Sequence, residues 1–156
     1  MAKIAIALGS NLGDRKANFD AAMRELKALG IRELKLGPVL DTDPVDCPSD
    51  AGAYLNSACI GETDIPAFTL MQNLLDLEQK LGRVRTGVYH ESRIIDLDML
   101  LYDQEIIQTD WLQLPHPEMH LRDFVLAPLA VIAPDWLIPT KEITVLQAYE
   151  KLFNHS

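Results

Sequence analysis

Two aspartates one residue apart, Asp96 and Asp98, stand in the run Arg93-Ile94-Ile95-Asp96-Leu97-Asp98-Met99-Leu100. In an extended strand successive side chains point to opposite faces. Both carboxylates are therefore expected on one face, with Ile95, Leu97, Met99 and Leu101 together on the other. Strand rise puts the two aspartate Cα atoms ~7 Å apart, a spacing at which a carboxylate pair can jointly hold hard cations. Magnesium favours a few carboxylate oxygens completed by phosphate and water, and paired ions suit phosphoryl transfer. The plain alternative is a solvated acidic strand face in a chain with 23 acidic residues.

A second group of residues is basic. Glu78-Gln79-Lys80-Leu81-Gly82-Arg83-Val84-Arg85 is followed by Arg93. A guanidinium donates two parallel hydrogen bonds to phosphate oxygens. Segment 83–93, polar and without period, reads as a mobile loop able to close over a polyphosphate; the alternative is a basic loop that balances an acidic surface. Pro115-His116-Pro117, with Arg122 and Phe124 nearby, gathers polar and aromatic groups on a proline-stiffened stretch, although a lone histidine such as His116 is more often structural than a ligand. Tyr54-Leu55-Asn56 sets an aromatic and an amide on one strand face. Gly9-Ser10-Asn11-Leu12-Gly13 lacks the Gly-Lys-Ser/Thr ending of a phosphate-binding P-loop, and that reading is rejected.

The elements that must position these groups follow from periodicity. The apolar run 3–8 is a strand that ends in a glycine turn, and Asp14 can cap the helix after it. In that helix Phe19, Ala22, Met23, Leu26 and Leu29 recur at helical steps until Gly30. A strand-like stretch covers 31–42, turn formers fill 43–53, and 54–62 is a strand. Pro66 fits the first turn of a helix whose face is Leu70, Leu74, Leu77 and Leu81, ended by Gly82. Residues 94–102 form a strand, with 105–107 as its hairpin partner across a tight turn. An apolar helix interrupted by Pro128 spans 124–133, and a last helix runs from about Thr144 to Phe153. The order βαββαββ followed by helices predicts one α+β domain over residues 1–156, with helices packed on a mainly antiparallel sheet.

Composition bounds the function. The 156 residues carry 14 basic and 23 acidic side chains, a formal charge of −9. That balance argues against nucleic-acid binding through the phosphate backbone. No apolar run approaches a membrane span, and the first residues lack the features of a secretory signal. Cys47 and Cys59 have no zinc-like spacing and read as ordinary thiols. A cytoplasmic location is expected.

Taken together, these segments resemble the 6-hydroxymethyl-7,8-dihydropterin pyrophosphokinases of the folate pathway. The markers stand in family order from Ile4 to about Trp136: Leu8-Gly9-Ser10-Asn11-Leu12-Gly13, Thr42-Asp43-Pro44, Tyr54-Leu55-Asn56, Glu78 to Arg85, Arg93 to Leu100, Pro115-His116 and Arg122-Asp123-Phe124. The resemblance implies a ferredoxin-like α/β sandwich, ATP as co-substrate and two Mg²⁺ ions on Asp96 and Asp98. It implies a pterin ring between Tyr54 and Phe124, read by Asn56 and by the backbone around Thr42, Pro44 and Val45. Glu78, Arg83, Arg85, Arg93, Met99, His116 and Arg122 would contact ATP, with Arg83 and Arg93 also catalytic and 83–93 the closing lid. Partners would be these small molecules alone, with the protein a monomer.

The chain departs from the family at Tyr89-His90-Glu91-Ser92, where relatives commonly read Arg-Trp-Gly-Pro, and at Asp43, Asp46, Cys47 and Pro117. These changes leave open a paralogue that acts on a related pterin alcohol; a nucleotide-binding module without turnover would require damage to the metal or phosphate residues, and Asp96, Asp98, Arg83 and Arg93 are all present.

Overall fold

The apolar run near the N-terminus becomes the centre of a sheet because both of its faces are covered. The computed structural model describes residues 1–11, 14–42, 54–82 and 95–153. Strand β1 (Ala2–Ser10) pairs antiparallel with β4 (Tyr54–Thr63) on one side and with β5 (Asp96–Tyr102) on the other. Beyond β4, two short strands share the far edge, β2 (Arg32–Leu36) and β3 (Leu40–Thr42). The order is β2-β4-β1-β5, with β3 also on β4 and every pairing antiparallel.

Helices α1 (Arg15–Ala28) and α2 (Ala67–Gly82) cover one face. There Phe19, Ala22 and Leu26 meet Leu70, Leu74 and Leu77 over Ile4, Ile6 and Leu8. Helices α3 (Asp123–Ile132) and α4 (Val145–Phe153) cover the other, where Leu126, Leu129, Val145 and Ala148 pack with Ala5 and Ala58. This is the ferredoxin-like α/β sandwich that the sequence leads one to expect. Cys59 lies in the first core as a free thiol, and burial pushes its pKa up to about 12; Cys47 lies outside the described residues.

The local signals act as the sequence suggests. The Asp14 carboxylate accepts a hydrogen bond from the Ala17 N–H at 3.1 Å, capping α1. Gly30, at φ +105°, adopts the left-handed backbone that ends the helix and donates its N–H to the Lys27 carbonyl. The stretch 31–42 forms one edge line broken at Gly37-Pro38, where the Gly37 N–H still reaches the Ala58 carbonyl at 2.8 Å. Ser57 Oγ lies 3.0 and 2.9 Å from the carbonyls of Gly37 and Pro38 and pins the break.

Four expectations are corrected. The β1–β5 register pairs Ile6 with Met99 but Ala5 with Leu101, so Leu100 is an extra residue in a β-bulge. Leu101 therefore leaves the face of Ile95, Leu97 and Met99 and packs with Leu100 in the core under α3 and α4. Residues 105–107 do not pair with β5. Instead β6 (Ile107–Gln108) pairs with β7 (Gln113–Leu114), while the outer edge of β5 takes up the His116 N–H on the Leu100 carbonyl at 2.9 Å. Pro128 lies inside α3 without ending it, buried in the second core; its missing N–H leaves only the Phe124 carbonyl, four residues back, without that helical donor. Pro66 precedes α2 and lends its carbonyl to the Leu70 N–H at 2.8 Å. A 3₁₀ turn (Met119–Leu121) and a hairpin of β8 (Leu137–Ile138) with β9 (Ile143–Thr144) complete the second layer.

Candidate active site

Residues directly opposite in an antiparallel pair share a face. Across three strands the register aligns Asn56 on β4 with Gly9 on β1 and Asp96 on β5; the next row is Ala58, Ala7 and Asp98. The central strand thus contributes only a hydrogen atom and a methyl between the amide and the carboxylates. With strands ~4.8 Å apart, Asn56 and Asp96 flank a shallow trough about 10 Å across. The trough lies on the α3 side of the sheet, since Ala58 belongs to that core and Ala7 packs against it. Asp96 is half-buried and Asp98 exposed. At the same end of β4, Thr42 pairs with Tyr54 and Leu40 with Asn56.

One wall comes from the segment entering α3. His116 is tied to β5 by its own N–H, and its Nδ1 accepts the Glu118 N–H at 3.1 Å. The ring proton of the neutral imidazole must then sit on Nε2. Burial lowers the His116 pKa from its ordinary 6.5; Asp98 opposes this, Arg122 adds to it and Glu118 opposes it. Neutral His116 is thus a donor through Nε2 at physiological pH. The Arg122 guanidinium pairs with the Glu118 carboxylate four residues back and stands 5.9 Å from the centroid of the half-buried Phe124 ring.

Two sequence-predicted residues occupy unexpected positions. Glu78, on α2 across the sheet, accepts the Leu97 N–H at 2.7 Å through Oε2 and so braces the strand between the two aspartates. Met99 buries its side chain at 3% exposure, so only its backbone, on the edge strand β5, is left to meet a ligand. Pro44, Val45, Arg83, Arg85, Arg93 and the substituted stretch 89–92 lie outside the described residues. The sequence reading missed Glu118, whose signal was its i,i+4 spacing to Arg122, and the small pair Ala7 and Gly9, which only the register makes meaningful.

Among the described residues no group of three or more His, Cys, Asp or Glu is placed to hold a metal. Two carboxylates alone make an incomplete cage for a resident ion. They fit an ion that arrives with phosphate oxygens and keeps several waters, as Mg²⁺ does.

The fold is an antiparallel α+β sandwich that carries a carboxylate pair and a His–Arg wall beside small residues of its central strand. The 7,8-dihydro-6-hydroxymethylpterin-pyrophosphokinase family matches residues 5–134, and the chain belongs to that family. It is 41% identical over 128 residues to the 2-amino-4-hydroxy-6-hydroxymethyldihydropteridine pyrophosphokinase of Bacillus subtilis, covering 81% of this chain and 75% of that protein. The enzyme of the same name from Haemophilus influenzae is 37% identical over 138 residues, 88% of this chain and 86% of that one. The folic acid synthesis protein fol1 of Schizosaccharomyces pombe is 34% identical over 148 residues, and there this chain spans 94% of itself but only 20% of the relative. A solved structure described as HPPK-DHPS in complex with substrates shares the fold at TM-score 0.71 and 12% identity, covering 96% of this chain and 43% of that one.

Proposed function

We propose that this chain transfers a pyrophosphoryl group from ATP to the hydroxymethyl group of 6-hydroxymethyl-7,8-dihydropterin and releases AMP. Residues 1–156 act as one catalytic domain, a cytoplasmic monomer. The row Asn56–Gly9–Asp96 carries this reading: it sets an amide able to read a heterocycle edge across a side-chain-free gap from a carboxylate pair.

In this reading the pterin lies over Gly9, with Asn56 at its edge and Phe124, together with Tyr54, against its ring. Asp96 and Asp98 would hold Mg²⁺, which would supply positive charge to neutralise the phosphates. His116 donates from Nε2 and Arg122 from its guanidinium to the ATP phosphates, joined by Arg83, Arg85 and Arg93. Glu78 keeps β5, and hence both carboxylates, in place. The substrate oxygen bonds to the β-phosphorus, its proton passes to solvent water, and the bond from that phosphorus to the bridging oxygen of the α-phosphate breaks, so that AMP leaves with that oxygen. Little covalent help is needed; positioning and charge stabilisation supply most of the rate.

The test is incubation with ATP, Mg²⁺ and hydroxymethyl-dihydropterin, with AMP resolved from ADP. One AMP should appear for each pterin diphosphate. ADP as product, or turnover that ignores the pterin, would overturn the assignment.

A further inference from the structure

A cavity of about 410 Å³ opens between the β6–β7 hairpin and the β8–β9 turn, with His116 in its wall and neither aspartate, Asn56 nor Phe124 among its lining. Its volume lies within the range of small-molecule sites, roughly 300–1,000 Å³. Leu114 and Ile138, both buried, supply an apolar floor. Lys141, His120 and His116 stand around it with the carboxamides of Gln108 and Gln113.

None of the twelve lining residues is acidic, in a chain where acids outnumber bases 23 to 14. Glu105 and Glu142 neighbour these segments in sequence but do not line the cavity. The turn that brings Lys141 into the wall holds Thr140 at φ +69°, a left-handed backbone that a β-branched residue adopts only at a cost. Such strain persists where the surrounding structure imposes it, and ligand clamps are one place it gathers.

We propose that this cavity binds a small aromatic carboxylate, ring on the apolar floor and carboxylate toward Lys141 and His116, and that its occupation inhibits ATP use through His116. The inhibitory half rests on the ATP-dependent reading above; the binding half does not. Burial and then Lys141 push the His120 pKa down, so His120 is neutral at physiological pH and the positive charge of this wall is that of Lys141. With Nδ1 already accepting from Glu118, His116 has one ring proton to give. It can serve the ATP side or a cavity ligand, not both.

Benzoate tests the site, with benzamide as its neutral counterpart, in protein free of ATP and pterin and followed by backbone amide NMR. The amides of His120, Thr140 and Lys141 should shift saturably with benzoate at a Kd of about 1 mM, a typical scale for so small a ligand. Lys141→Gln should weaken that binding about five- to tenfold, and benzamide should bind wild type about fivefold more weakly than benzoate does. In turnover assays benzoate should raise the KM for ATP in wild type, and Lys141→Gln should need about five- to tenfold more benzoate for the same rise, while its uninhibited activity should match wild type. Absence of saturable shifts, shifts centred on Asp98 and Asn56, or equal affinity in Lys141→Gln would each sink the binding site. Binding without any change in KM would sink the coupling to His116. Loss of pterin-dependent turnover in every sample would refute the activity and leave the NMR result standing.

Discussion

At the scale of residues, the two aspartates share a face but not an environment, Asp96 half-buried and Asp98 open to solvent. Neither belongs to the apolar core, so their loss is expected to spare the fold and strike the chemistry. Asp96→Ala and Asp98→Ala should each lower turnover by roughly 10², about 3 kcal/mol of transition-state stabilisation, with unchanged far-UV circular dichroism. Near-normal rates at limiting Mg²⁺ would remove these carboxylates from metal binding. Asn56 and Phe124 belong to the other substrate. Their alanine variants should weaken pterin binding more than ATP binding in calorimetry, because a site that hydrogen-bonds its ligand loses sharply when one partner goes. Equal losses for both ligands would contradict the pocket. The intervening Gly9 and Ala7 matter by what they lack.

At the scale of elements, the site depends on a strand held from three sides. β5 is registered on β1, braced by Glu78 from α2 and joined along its outer edge by His116. The opposite edge shows how closely the second layer sits. A Cβ on Gly37 would stand 2.7 Å from the Pro128 carbonyl oxygen of α3, whereas a Cβ on Gly82 meets nothing within 4 Å. Gly37→Ala is therefore expected to cost about 1–3 kcal/mol, the usual penalty for overpacking against backbone. Gly82→Ala should leave stability unchanged or raise it by up to about 1 kcal/mol through helix propensity. Urea unfolding of the two variants checks both; equal midpoints would mean that α3 yields more easily than its packing suggests.

At the scale of the whole molecule, the second layer carries two histidines whose pKa values are lowered chiefly by burial, His116 and His120. In the folded state each binds its proton only below the ordinary value of 6.5. Between the folded and unfolded values the unfolded chain holds more protons, so stability rises with pH there. Stability should be undiminished by these groups above pH 6.5 and should fall as the pH drops below it toward the folded values. Urea midpoints measured across that window should show a shallower decline in His120→Gln than in wild type. Parallel declines would mean that His120 titrates alike in both states.

What the sequence by itself determined is what local geometry can encode. The 3.6-residue spacing of Phe19, Ala22 and Leu26, the cap at Asp14, the stop at Gly30 and the two-residue alternation of Asp96 and Asp98 depend only on backbone conformation within a few residues. The resemblance draws on the same kind of information, since each marker is a short contiguous run. The tertiary structure decided the rest. The bulge at Leu100 is invisible in Met99-Leu100-Leu101-Tyr102, because four apolar residues in a row carry no alternation to break. The partner of 105–107 was open because a short apolar run suits any available edge, and β5 had spent its outer edge on residue 116. The hydrogen bond from the Leu97 N–H to Glu78 could not be read in sequence, because the two residues are nineteen positions apart. The row Asn56–Gly9–Asp96 exists only through strand register, which the covering of both sheet faces sets and no single segment contains.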